Sequence, residues 1–177
     1  MTKLPNQMYS NLKAALASGK LPEDSSTREY DVVYDTFGEL AQSLLDDWTK
    51  PSVSQTRREV SALVGFWEAI PFDGVLIGVA VNQPAIVPAS IQAAKSMRLG
   101  SVTTLLEEMQ SHVPASVIDI EDAEGRIEWY ESEDGRGSAA ALAQIEEKLN
   151  EGDFAEQLLL GVFQRVLAEP EEFFKVR

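Results

Sequence analysis

Apolar residues recur along this chain at steps of three and four, the spacing that gathers them on one side of an α-helix. The clearest run is Tyr30, Val33, Tyr34, Phe37, Leu40, Ala41, Leu44, Leu45 and Trp48. It predicts a helix from Glu29 to Trp48, ended by Lys50-Pro51. A shorter helix is expected from Asn6 to Ser18, closed by Gly19 and followed by a polar connector, Lys20 to Thr27. Ser52 and Gln55 have the capping-box spacing, opening a helix with Val60, Leu63, Val64, Trp67 and Ile70 inward and Pro71 as its breaker. Between Phe72 and Ala89 the glycines and prolines argue for short turns. The run Val75 to Val81 reads as a buried strand or a buried helical turn, and the lack of a partner strand favours helix.

Ala89 to Arg98 and Val102 to His112 predict a helical hairpin, with Gly100 just past the first helix, Ser101 capping the second, and Pro114 closing the pair. Residues 115–136 then form a long polar segment, with brief extended pieces expected at 117–120 and 126–130. Ser138 to Asn150 and Phe154 to Ala168 are two further helices separated by Gly152, the second with Asp153 and Glu156 in the capping pattern. The expected fold is all-α: a single compact bundle of six to seven helices with short turns and one acidic loop. Residues 1–28 supply an N-terminal helix and connector, and 29–177 a single helical domain.

Composition, targeting signals and charge each add to this picture. There is no cysteine, which excludes disulfide staples, thiolate catalysis and cysteine-based metal sites. No signal-peptide core opens the chain, and prolines and polar residues interrupt the apolar stretch 69–94, so a cytoplasmic protein is expected. The formal net charge is −14 and uneven: residues 1–106 carry −2 and residues 107–177 carry −12. Such a field repels nucleic acid and anionic membranes and attracts basic surfaces.

Candidate chemistry is sparse. The one histidine, His112, ends an amphipathic helix and reads as a partner of the helix dipole. No nucleophile elbow, phosphate-binding loop or dinucleotide fingerprint occurs. The stretch from Asp119 to Gly125 alternates acids before a glycine, yet Glu124 and Tyr130 stand where a calcium loop needs glycine and glutamate. No cofactor and no metal are expected. What stands out is the cluster Asp119, Glu121, Asp122, Glu124, Glu128, Glu131, Glu133 and Asp134, answered only by Arg126 and Arg136, with Trp129 and Tyr130 among them. Carboxylates beside aromatics suit a protein partner with a basic groove, charge steering the encounter and the aromatics anchoring it. Glu107, Glu108, Glu146, Glu147 and Glu151 are expected as flanking rows.

The order of elements resembles a bacterial all-helical family of small acidic proteins that contains a DNA-mimic protein. The residues that carry the resemblance are Asp73 to Asn82, where that family has an Asn-Gly-Gly-Phe segment ending in Asn; the helix pair Ser90–Gly100 and Val102–Met109 followed by Pro114; Ile145 to Leu149; and a terminal helix running to Phe174. The resemblance covers roughly residues 58–174, and within the first segment only Gly74 and Asn82 match. It implies an all-helical fold and a protein that occupies a helix-turn-helix regulator in place of DNA.

The expected function is therefore non-enzymatic: an acidic binding protein, with a basic and DNA-binding protein as partner, no direct contact with nucleic acid or membrane, and a homodimer left open. An immunity-type or accessory protein binding by shape through the apolar 72–88 segment is a second reading, and an enzyme with a carboxylate-based site a third.

Overall fold

The structure is a computed structural model and describes residues 3–44, 46–151 and 153–175. It is all-helical, with ten α-helical segments, one 3-10 turn and one π-helix among the described residues. In chain order these are α1 (Asn6–Ala15), α2 (Arg28–Leu44), the 3-10 turn Asp47–Thr49, α3 (Gln55–Asp73), the π-helix Gly74–Val81, α4 (Ile86–Ser96), α5 (Gly100–Gln110), α6 (Ala115–Ile118), α7 (Ala123–Glu131), α8 (Arg136–Glu151), α9 (Phe154–Ala168) and α10 (Pro170–Phe173).

Helix α3 is the axis of the bundle, touching α2, α4, α9, α10, the 3-10 turn and the π-helix. A helix so surrounded must be apolar on several sides, and Val60, Ala62, Leu63, Val64, Phe66 and Ile70 are all buried. Phe66 is fully buried, whereas Trp67 is half-buried and stacks on Phe154 at 6.4 Å. The helix opens at Ser54 and not at Ser52. Ser54 Oγ accepts from the Arg57 N–H at 3.3 Å, while Ser52 stays exposed ahead of the buried Val53. Pro71 does not break it: α3 runs on to Asp73, because one lost N–H is outweighed by packing on several sides.

The expected long second helix ends early, at Leu44, and Asp46 turns left-handed (φ 55°) before the 3-10 turn. That break brings Asp47 under Arg57. The Arg57 side chain is 1% exposed; its Nε donates to Asp47 Oδ2 at 2.7 Å, its Nη1 to the Glu172 carbonyl at 3.0 Å and its Nη2 to the Ser43 carbonyl at 2.8 Å. One guanidinium thus ties α2, the 3-10 turn, α3 and α10 together. Burial raises the Asp47 carboxyl pKa, but hydrogen bonds and charge from Lys50 and Arg57 together outweigh it and hold the group below its ordinary value.

The N-terminal helix is packed onto the body. Leu12 is fully buried, the Leu4 N–H donates to the Phe173 carbonyl and the Lys175 N–H to the Leu4 carbonyl, both at 2.8 Å, and the Tyr9 ring lies 5.6 Å from Phe174. At the α4–α5 turn the left-handed residue is Arg98 (φ 58°), and α5 starts at Gly100, so Ser101 does not cap it. Leu99 sets this turn by seating its side chain against Gly161 of α9, where an added Cβ would stand 2.6 Å from it. Asp153 likewise caps no backbone N–H; its carboxylate accepts from Gln157.

The run Val75 to Val81 is a π-helix with the wide hydrogen bond of that class, the Asn82 N–H donating to the Ile77 carbonyl at 3.0 Å. Two glycines make it. Gly74 has φ 69°, and Gly78 passes so close to α3 that a Cβ there would lie 2.0 Å from the Ala69 carbonyl oxygen. Gly78→Ala is therefore expected to cost about 2 kcal/mol, read as a lower urea midpoint at unchanged slope. A midpoint equal to wild type would mean that the π-helix stands off α3.

No single helix among the described residues is long and apolar enough to cross a membrane. The apolar pair Gly74–Val81 and Ile86–Ser96 is bent by 97° and belongs to the core, with Val75, Val79, Ile86 and Val87 fully buried.

Candidate protein-binding face

Within residues 115–136, α6 and α7 stand where extended pieces were expected, and Asp119, Glu121, Asp122, Glu133 and Asp134 lie in the short turns before and after α7. Pro114 leads into α6, and Asp122 starts α7 by accepting from the Gly125 N–H at 2.7 Å. The apolar periodicity was hidden because an arginine fills a core position. On the inner side of α7 stand Arg126 (8% exposed) and Tyr130 (3% exposed), one turn apart, with Ala123 and Trp129 half-buried beside them. The Arg126 Nε donates to the Val81 carbonyl at the end of the π-helix, and its Nη1 to the Ile120 carbonyl.

The outer side of α7 follows from the same geometry. Glu124, Ile127, Glu128 and Glu131 have the i, i+3, i+4, i+7 spacing of one helix face, and all four are exposed. Asp119, Glu121 and Asp122 are exposed at the N-terminal end of this face, and Glu133 and Asp134 in the turn after it. Of the two arginines that answer these acids in sequence, only Arg136 remains on the surface, its Nε donating to the Glu131 carbonyl at 3.0 Å. The face is consequently more negative than the sequence count implies.

The flanking acids are not one row. Glu107 pairs with Lys95 at 2.7 Å and Glu108 with Lys148, both half-exposed surface pairs. Glu146 is half-buried, and its Oε2 accepts from the Val75 N–H at 2.8 Å, so it holds the start of the π-helix and is no surface group. Glu147 is exposed, and the side chain of Glu151 lies outside the described residues. Gly74 and Asn82 bound the π-helix: Gly74 lets the Glu146 carboxylate approach within 2.7 Å of where a Cβ would stand, and Asn82 ends the helix.

The aromatic pair does not anchor a partner by open exposure. Tyr130 is buried and donates its hydroxyl to the His112 carbonyl at 3.0 Å, with half-buried Trp129 packed edge-on at 4.9 Å. Helical phase turns both rings toward the bundle, away from the Glu124–Glu131 face. Ile127 is the apolar residue that the face exposes, at 37%; its spacing from Glu124 and Glu131 was the available signal. Burial pushes the Tyr130 phenol up to about 12. The folded state therefore holds this proton more tightly than the unfolded state, and that contribution to stability is intact below pH about 10 and lost between about 10 and 12. Tyr130→Phe is expected to flatten the alkaline limb of a urea-midpoint against pH curve; an unchanged limb would contradict it.

The other two readings meet specific geometry. In the 72–88 segment Val75 and Val79 are fully buried, Leu76 is half-buried and only Ile77 reaches 38% exposure, because the run packs between α3 and α8. Among the described side chains of that segment, the large apolar surface left to a shape-reading partner is that of Ile77. For carboxylate chemistry the buried acid among the described residues is Asp47, whose lowered pKa suits ion pairing and not proton donation. Among the described residues no three His, Asp or Glu side chains are placed to hold one metal ion.

Comparison of the chain with protein-family models, curated proteins and solved structures finds no match.

Proposed function

We propose that this chain is a non-catalytic binding protein whose acidic α7 face occupies a basic surface on a protein partner, in the finer form the nucleic-acid-binding surface of a DNA-binding protein. The observation that carries this reading is the exposed face Glu124, Ile127, Glu128 and Glu131, whose nearest counter-charge in sequence, Arg126, is turned inward. Along the α7 axis its three carboxylates fall over about 10 Å, roughly one per 5 Å. A single DNA strand presents one phosphate per about 3.4 Å of axis, so the helix alone is the sparser array. Asp119, Glu121 and Asp122 before it, with Glu133 and Asp134 after it, extend the negative surface at both ends. Ile127 gives the face an apolar contact that a phosphate backbone lacks, which favours a protein groove over any basic polymer.

The test is capture of host proteins on the immobilised chain at low salt, elution by a salt gradient, and competition with duplex DNA. A basic partner released by salt and displaced by DNA is the expected result. A partner that resists salt removes the electrostatic reading, and one that DNA leaves in place removes the DNA-mimic form.

A further inference from the structure

Beyond that face, we propose that the cleft between α2, the 3-10 turn and α3 binds a small aliphatic cation, a guanidinium or ammonium group on a short alkyl chain. The cleft encloses about 310 Å³. That is the low end for small-molecule sites, suited to a single chain and too small for a nucleotide. Small residues line it on both helices: Gly38 and Ala41 on α2, Gly65 and Ala69 on α3. A Cβ added at Gly38 would meet nothing within 4 Å, so the cleft is open at that point.

The polar lining is of one sign. Among the described residues Asp46 and Glu68 are the charged ones, joined by the neutral amides of Gln42 and Gln83, and no lysine or arginine contributes. Both carboxylates are exposed, and neither makes an ion pair among the described residues, in contrast to Asp47, Glu107 and Glu108. Half-buried Trp48 forms part of the wall. An indole attracts a cation to its ring face, and the alkyl chain of such a ligand covers the apolar floor of Leu44, Val64 and Ala69. Asp46 and Glu68 arise from different elements, so a cation between them is attracted by both.

The test is a titration of the full-length protein followed at the Trp48 indole N–H by NMR, the resonance being assigned with Trp48→Phe. Agmatine and n-butylguanidinium are the probes, with n-butylurea as the neutral isostere and a capped Gly-Arg-Gly peptide as the side-chain form. Saturable shifts with a Kd of about 1 mM or tighter are expected for the cations and not for the urea. Glu68→Gln is expected to weaken agmatine about 5-fold. Gly38→Leu fills the space and is expected to weaken it at least about 10-fold while keeping or raising the melting temperature, since leucine suits a helix interior better than glycine. Tighter binding of agmatine assigns a free metabolite, and tighter binding of the peptide assigns a basic side chain of a partner. No saturation by about 10 mM, or equal binding of n-butylurea, overturns the proposal. Lysine substitutions on α7 leave this titration unchanged, so the cleft and the acidic face fail or stand separately.

Discussion

Arg57→Met is expected to remove about 3–5 kcal/mol of stability, a large share of the roughly 5–15 kcal/mol that holds a typical domain together. Arg57 is the largest fully buried side chain among the described residues, and its guanidinium donates to Asp47, Ser43 and Glu172, so four elements lose their common donor at once. Its removal strands the Asp47 carboxylate, whose side chain is 8% exposed, with Lys50 on the surface as the remaining cation. The cost comes from this stranded charge, and Asp47→Leu added to Arg57→Met should recover part of it. The pH dependence follows with a definite sign. In the wild type the Asp47 pKa is depressed, so its contribution is present above the unfolded value of 3.8 and is lost as pH falls through the folded pKa. In Arg57→Met, burial is opposed by less charge and the acid limb moves to higher pH. Urea midpoints measured from pH 3 to 7 read both effects; an Arg57→Met protein within about 1 kcal/mol of wild type would refute the account.

The second large effect concerns binding. Reversing Glu124, Glu128, Glu131 and Glu133 to lysine is expected to weaken the proposed partner by about 100-fold or more, while the far-ultraviolet circular dichroism stays that of the wild type. All four side chains are exposed, and lysine matches glutamate in helix propensity, so the substitutions leave the inner face of Arg126 and Tyr130 intact. The comparison that gives this result meaning is an equal reversal elsewhere. Glu23, Asp35, Glu39 and Glu171 are also exposed and lie outside the face. If both quadruple variants weaken binding alike, net charge is the cause and the face has no special role. Wild-type affinity should itself fall with added salt, since exposed charges are screened over about 8 Å in physiological salt.

Both predictions depend on where single polar side chains point, and this is also where the sequence was least legible. Helix α9 runs from Phe154 to Ala168, the span its periodicity predicts, because seven of its residues are buried at helical spacing. The all-α class is equally plain from periodicity alone. Residues 115–136 were misread because Arg126 occupies a core position and leaves α7 with little apolar periodicity. Pro71 was misread because the cost of one missing N–H is local, whereas the contacts that carry α3 past it come from other parts of the chain.

The sequence by itself determined what short-range physics controls: the all-helical class, the span of strongly periodic helices such as α9, and that the negative charge is concentrated after residue 106. Tertiary structure decided which of those charges remain available to a partner. Glu146 is taken by the Val75 N–H, Glu107 and Glu108 by lysines, and Arg126 by the carbonyls of Val81 and Ile120. It also turned Trp129 and Tyr130 inward and put Ile127 in their place on the surface. The physical reason is range. Helix periodicity is set by neighbours three and four residues away, but a buried cation is stable only where the fold brings acceptors to it, and Arg126 finds one 45 residues back along the chain.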